Sequence, residues 1–245
     1  MNDIIAIIPA RSGSKGVLDK NIKLLKGRPL LAYSIAAARR AKGVDRVIVS
    51  TDSEPYADIA REYGAEVPFL RPARISGDNS TDYEWIKHFL DWMREEDGEV
   101  PAYLVHLRPT TPIREVAIIE KAIEFLRQND DATALRSAHE MSETAYKSVE
   151  IDKDYLKCVF SGSFDLDEAN KPRQHFPKTY VANGYVDIYK SLYIEKNGKI
   201  LGDKVIAYRT PPISEIDTLD DFDYLEFQAA RNPEIIERLF GKYKT

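Results

Sequence analysis

The segment Pro9-Ala10-Arg11-Ser12-Gly13-Ser14-Lys15-Gly16, followed by Lys20-Asn21, concentrates residues that bind anions. Arg11, Lys15 and Lys20 place three cations within ten positions. Gly13 and Gly16 let the backbone come close to a phosphate, and successive N–H groups in such a turn form an anion-holding nest. The combination suits a triphosphate. Its spacing differs from both common phosphate loops, since neither GxxxxGK[ST] nor GxGxxG occurs there. A solvated surface loop with incidental charges would have the same composition, so position in the fold has to separate the two readings. A second polar concentration, 214–223, has the acidic bias of a helix N-terminus, where the backbone dipole favours anions. His106, His139 and His175 show no metal-ligand spacing, although the last two flank an irregular stretch and could lie near a site.

The elements that must hold these residues follow from hydrophobic period. The apolar run 4–8, closed by Pro9, reads as a buried parallel strand. The cationic loop lies just beyond its carboxyl end, where open α/β sheets bind ligands. Pro29 opens a helical pattern with Leu31, Ile35 and Ala38 on one face. A strand is expected at 47–49. Thr51 and Ser53 are N-cap candidates for the next helix, Pro55 suits its first turn, and Gly64 ends it. A short strand at 67–70 follows, then a helix over 81–95 with Trp85, Phe89 and Trp92 on one face. Further strands are expected at 103–107 and 132–135, separated by the helical stripe Val116, Ile119, Ile123 and Leu126. This alternation predicts an α/β fold, a mostly parallel sheet with helices on both faces. From 139 to 179 the rhythm breaks into short strand-like pieces at 147–151 and 155–160, which reads as an insertion. Strands at 185–189 and 205–208 and helices at 220–230 and 233–240 complete the pattern.

The 245 residues suffice for one large α/β domain or two small ones. The 43% hydrophobic and 31% charged fractions are those of an ordinary soluble protein. A net charge of -5 gives no support to nucleic-acid binding, but leaves room for a local basic pocket. The single cysteine, Cys158, cannot form an internal disulfide and reads as an apolar filler beside Val159 and Phe160. Met1-Asn2-Asp3 and five apolar residues lack the cationic lead and length of a signal peptide or membrane span, so a cytoplasmic protein without a membrane partner is expected.

Several segments, in order, resemble one family. Ala10-Arg11-x-x-Ser14-Lys15-Gly16 with Lys20-Asn21 is similar to the N-terminal signature of the acylneuraminate cytidylyltransferases, or CMP-sialic acid synthetases, relatives of the CMP-Kdo synthetases. Val49-Ser50-Thr51-Asp52 resembles the end of that family's second strand. Leu70-Arg71-Pro72-Ala73 with Asp78 resembles its nucleotide-facing loop, and Arg108-Pro109-Thr110-Thr111-Pro112-Ile113-Arg114 its (L)QPTSPLR segment. Pro172-Arg173-Gln174, Asn183-Gly184 and Glu215-Ile216-Asp217-Thr218 resemble its PRQ, NG and DIDT elements.

The resemblance implies a Rossmann-like fold with 139–179 as an inserted dimerisation subdomain, a homodimer, and transfer of CMP from CTP to a nonulosonic sugar acid. It places Ala10, Arg11, Ser14, Lys15, Gly16, Lys20, Asn21, Arg71 and Ser80 at the nucleotide, with Arg11, Lys20 and Asp217 central to catalysis. Arg108, Lys147, Arg173 and Asn183 would meet the sugar. Glu215 and Asp217 would hold magnesium or manganese; alternating about Ile216, they would share a face on a strand, and carboxylate oxygens suit such a hard cation. Two positions depart from the family: Glu215 stands where Asp is usual, and Arg108 where the sialic-acid enzymes have Gln. The second widens the expected substrate to legionaminate or another ulosonic acid. Two rivals remain: a CMP-Kdo-type or other sugar nucleotidyltransferase, and a non-catalytic nucleotide-binding regulator on the same fold.

Overall fold

The computed structural model describes residues 3–241; Met1 and Asn2 of the N-terminal reading, and 242–245, lie outside them. Alternation along β1 (Ile4–Pro9) shows how the layers are built. Ile4, Ala6 and Ile8 pack into one apolar cluster, Ile5 and Ile7 into another. A strand buried on both faces needs a helical layer on each.

The chain continues through the two-residue β2 (Leu24–Leu25) and β3 (Arg28–Pro29), then α1 (Leu30–Arg40), β4 (Arg46–Ser50), α2 (Glu54–Glu62), α3 (Asp82–Glu96), β5 (Tyr103–His106), α4 (Val116–Arg127) and β6 (Ala134–Glu140). A hairpin follows, β7 (Val149–Asp152) with β8 (Tyr155–Cys158). Then come β9 (Tyr180–Lys190), α5 (Ser191–Asn197), β10 (Val205–Arg209), α6 (Leu219–Arg231) and α7 (Pro233–Phe240). The six-stranded sheet has the order β10-β6-β9-β5-β1-β4. Only β9 runs antiparallel to its neighbours. Residues of α1, α2, α4, α6 and α7 cover one face, and α3 and α5 the other. The expected mostly parallel α/β sheet is therefore present.

Several local expectations need correction. Residues 67–70 form no strand; they meet the sheet edge through the isolated bridge Thr51–Leu70, with a second bridge, Ile48–Glu66, just before them. Pro68 explains this, since it has no N–H to donate to a ladder. Thr51 is occupied by that bridge, and Ser53 takes the N-cap of α2 without a side-chain bond. Strand β6 runs five residues beyond the expected end at Leu135, because the polar series Arg136, Ser137, His139 and Glu140 hides it from an apolar pattern. Strand β9 starts five residues before Tyr185, across the Asn183-Gly184 irregularity. Residues Ala145–Lys147 form a 3-10 turn ahead of β7. Glu215 and Asp217 lie in a loop, not on a strand. The acidic start of α6 holds: Thr218 and Asp221 form a capping box.

Cys158 is buried, as a filler should be. No helix among the described residues is long and apolar enough to cross a membrane.

Candidate active site

The cationic loop leaves β1 at the carboxyl edge of the sheet and turns back against the loop before α6. Gly16 makes this contact possible: a Cβ there would collide with the backbone carbonyl of Asp217. Lys20 Nζ donates to the Ile216 carbonyl at 2.7 Å and to Asp217 Oδ1 at 3.2 Å. Asn21, itself buried, donates from Nδ2 to the Arg11 carbonyl at 2.9 Å and closes the turn. Ala10 is core, with its N–H on the Ser50 carbonyl. Asp52, at the end of β4, accepts from both N and Oγ of Ser12 at 2.7 Å.

These loops enclose a cavity of about 410 Å³. Arg11, Ser14, Lys15, Gly16, Lys20, Asn21, Arg71, Ser80, Arg108, Glu215 and Asp217 all line it. Sequence separations of up to about two hundred residues thus converge on one wall. The remaining lining includes Asp82, Trp85 and Thr110, which the site reading passed over. Asp82 and Trp85 are set by the Thr81–Glu84 capping box that starts α3. The N-cap pattern at Thr81 was the available signal, but it speaks of a helix and not of a ligand.

The cations differ in their partners. Asp78 accepts from Arg11 Nη2 at 2.8 Å and pairs with Lys15 at 2.5 Å, and these two hydrogen bonds hold its carboxyl below the usual range. Asp78, which the family resemblance put in the nucleotide-facing loop, thus pairs with two of the cations that line the cavity. Arg71 is buried, donating from Nε to Ser50 Oγ at 3.0 Å and from Nη2 to the Ser50 carbonyl at 2.6 Å. Its guanidinium lies 5.5 Å from the Trp85 ring centroid. Burial brings its pKa down to about 10, so it stays cationic at neutral pH. Arg71 and Trp85 therefore offer a flat polar–aromatic wall suited to a base or ribose.

Arg108 bonds Asp82 Oδ2 at 2.9 Å. Beneath it, Arg114 is wholly buried and donates to the carbonyls of Arg108, Gly184 and Tyr185 and to Ser34 Oγ. Burial lowers its pKa to about 9. Its role is to tie the loop after β5 to β9.

Three expected sugar contacts lie elsewhere. Asn183 is buried and its amide is fully engaged: Nδ2 donates to His139 and Thr210, and Oδ1 accepts from Ser137 Oγ and Tyr185 N. It shapes the irregular turn of β9. Arg173 donates to Glu140 Oε1 at 2.7 Å and to the Met141 carbonyl at 3.0 Å, in a second cavity of about 450 Å³ with Gln174, Phe176 and Lys178. Lys147 ends its 3-10 turn, half-buried, and lines neither cavity.

Glu215 and Asp217 carry the only acidic oxygens expected for a metal. Glu215 Oε1 accepts from Thr110 Oγ1 at 3.1 Å, while the Asp217 side chain is 76% exposed. The buried Ile216 between them is anchored by its N–H on the Thr110 carbonyl. No group of three His, Cys, Asp or Glu side chains with metal-holding geometry occurs among the described residues. Two carboxylates beside three cations fit a hard divalent ion that takes its other ligands from phosphates and water.

Fold and cavity together define a mostly parallel α/β protein with a cation-lined cleft at the carboxyl edge of its sheet. The chain belongs to the cytidylyltransferase family, whose pattern matches residues 5–190. It is 32% identical over 237 residues to the N-acylneuraminate cytidylyltransferase of Escherichia coli O18:K1:H7, covering 96% of this chain and 54% of that one. It is 29% identical to the CMP-N,N'-diacetyllegionaminic acid synthase of Legionella pneumophila, covering 95% and 99% of the two chains. The chain thus spans about half the length of the first relative and nearly all of the second. In fold it is similar to CMP:2-keto-3-deoxy-manno-octonic acid synthetase complexed with CTP, at a TM-score of 0.66, 16% identity and coverage of 94% and 99%. It is also similar to 4-diphosphocytidyl-2C-methyl-D-erythritol synthase from Anaerococcus prevotii, at a TM-score of 0.62, 17% identity and coverage of 93% and 98%.

Proposed function

We propose that the chain transfers CMP from CTP to a nonulosonic sugar acid, with release of pyrophosphate. The observation that carries this reading is the single cavity joining the cationic loop, the Arg71–Trp85 wall and the Glu215–Asp217 pair. Relatives named for acylneuraminate and for diacetyllegionaminate support the acceptor class.

In this scheme Arg11, Lys15 and Lys20 hold the triphosphate, with Ser14, Gly16 and the Ala10 backbone shaping the turn. Asn21 keeps the turn closed. Arg71 and Ser80 orient the nucleoside. The anomeric hydroxyl of the sugar attacks the α-phosphorus; the new O–P bond forms as the bond to the β-phosphate oxygen breaks. Pyrophosphate leaves with that electron pair, and the hydroxyl proton passes to water. Such displacement depends on alignment and charge neutralisation more than on covalent help, and Lys20 is placed to neutralise the transferring phosphate. A magnesium or manganese ion held by Asp217 and Glu215 would add Lewis-acid stabilisation. Arg108 faces the acceptor end. A cytoplasmic setting suits a reaction that consumes CTP.

Segment 139–179, whose first two residues end β6, serves as a dimerisation subdomain in this reading. The ladder puts Val149, Ile151 and Leu156 on one face of its hairpin, exposed by 43%, 76% and 46%, an apolar surface that a second copy would cover. Arg173 and Lys147 would then reach the sugar pocket of the partner rather than their own.

The test is pyrophosphate release from CTP and magnesium against a panel of nonulosonic acids and Kdo, with the other nucleoside triphosphates as controls. Turnover with CTP and one nonulosonate is expected. Turnover with Kdo alone would move the chain to the other branch, and no turnover despite calorimetric CTP binding would make it a nucleotide-binding regulator.

A further inference from the structure

Some of what holds the cationic loop lies outside the cavity that the loop lines. Ser12 is bonded twice to Asp52, just before α2, and the side chain of Val17 is core. A further support sits at Asp19, the residue before Lys20. Its backbone is left-handed, with φ +50° and ψ +34°, and it turns the loop into a short 3-10 turn, Lys20–Ile22.

An aspartate ahead of a helical turn ordinarily spends its carboxylate on the first free N–H groups. Asp19 does not. Its backbone carbonyl takes the N–H of Ile22 at 2.9 Å and that of Lys23 at 3.0 Å, and its side chain caps nothing. The carboxylate reaches across to α2 instead, where Tyr56 Oη donates to Oδ1 at 2.9 Å. Tyr56 is buried in the same apolar cluster as Ile4, Ile8 and Val49. A hydroxyl in such a setting is costly to leave unbonded, and Asp19 supplies its acceptor. Burial, and then the Asp19 bond, push the ionisation of Tyr56 far above the usual tyrosine range, so at neutral pH the hydroxyl always gives and the carboxylate always takes.

A residue with a tethered side chain and a backbone in the narrow left-handed well fixes the direction of the next peptide. That peptide carries Lys20, whose Nζ rests on the Ile216 carbonyl and on Asp217 Oδ1 with its side chain only 13% exposed. The series Tyr56, Asp19, Lys20, Asp217 therefore links α2 to the loop before α6. Neither Asp19 nor Tyr56 lines the cavity, so any effect they have on a ligand there passes through Lys20.

We propose that Asp19 and Tyr56 are positioning residues for Lys20, which they hold at the phosphate being transferred. This rests on the CMP-transfer reading of the cavity and extends it to a helix that the reading leaves out.

The test uses the full chain, CTP, magnesium and the best acceptor of the panel. Tyr56→Phe removes one oxygen and keeps the packed ring. It should lower kcat about tenfold, because small misplacements of an aligned group are costly. The KM for CTP should stay within about threefold, since Arg11 and Lys15 still hold the triphosphate. Asp19→Gly suits the left-handed backbone at least as well as aspartate does, so a purely structural role leaves kcat unchanged, whereas loss of the tether lowers it as Tyr56→Phe does. Asp19→Asn tolerates that backbone and keeps an oxygen for the hydroxyl, so kcat should return to within about threefold of wild type. The double variant Tyr56→Phe, Asp19→Gly should lose no more than either single one, because both cut the same link. Asp19 is exposed, so its variants answer the question even if the buried one fails to fold. Wild-type kcat in a folded Tyr56→Phe or in Asp19→Gly overturns the proposal, as does a raised KM for CTP at unchanged kcat, or a kcat in Asp19→Asn as low as in Asp19→Gly. Each of these leaves CMP transfer by the wild type standing; a wild type that transfers CMP to no acceptor sinks both.

Discussion

Around the cavity, each lining side chain comes from a loop or helix start at the carboxyl edge of one sheet, and each is held by the same chain. Lys20 rests on the Ile216 carbonyl, Arg71 on Ser50, and Arg108 on Asp82. In segment 139–179, by contrast, the corresponding cations turn away: Arg173 is neutralised by Glu140, and Lys147 stands apart from both cavities. Core burial also differs. Strand β1 is almost fully buried, whereas β7 is exposed along its length. A site assembled at strand ends inherits its geometry from the hydrophobic core. A segment that leaves the sheet has too little apolar contact of its own to do this.

The largest expected effect lies on the self-contained side. Asp217→Ala should lower kcat for pyrophosphate release on the order of 10²–10³-fold with the fold intact, the size of loss seen when one preorganised charge-stabilising group is removed. A near-wild-type rate at saturating magnesium would place the metal elsewhere. On the other side, Arg173→Ala should raise the KM for the sugar about tenfold, roughly 1.4 kcal/mol, and leave that for CTP unchanged. Equal effects on both substrates would take Arg173 out of sugar binding. Ile151→Asp together with Leu156→Asp, on the exposed hairpin face, should convert a dimer to monomer by light scattering and reproduce the Arg173 phenotype; a wild type that is already monomeric removes the partner from the account.

Smaller effects concern charges inside each region. Burial, and then the Arg108 charge, holds the His106 pKa well below its usual value. The unfolded chain therefore takes up a proton near pH 6.5 that the folded chain refuses, and stability falls as pH drops from 7 to 5. The slope from this group is at most about 1.4 kcal/mol per pH unit. His106→Gln should flatten a plot of Tm against pH, and an unaltered slope would assign it to other groups. The smallest change is expected from Asp78→Asn. Asp78 occupies the cations that the triphosphate needs, so its removal should lower the KM for CTP by about two- to fivefold, the range of an exposed ion pair. A raised KM would mean that Asp78 itself reads the nucleotide.

The order of strands and helices was legible because hydrophobic period is local. The stripe Ile119, Ile123 and Leu126 is buried as expected, and the branched run of β1 is core on both faces. The first loop was legible as a cavity wall for the same reason, since its glycines and charges sit close together in the chain. What the residues could not tell is where polarity is spent. Asn183 looked like a ligand contact and is a strut of β9; Asp82 and Trp85 looked like a helix start and line the cavity. The polar stretches of β6 and β9 hid from an apolar pattern because their partners are each other.

The amino-acid sequence alone determined the alternating α/β elements, the two-faced core strand and the concentration of cations and glycines in the first loop, all of which depend on neighbours within a few positions. Tertiary structure decided which distant groups meet: Lys20 with Asp217, Arg11 with Asp78, and Arg108 with Asp82 and Asp187. Charge pairing acts through space at a few ångströms, and only the folded sheet brings those pairs within that distance.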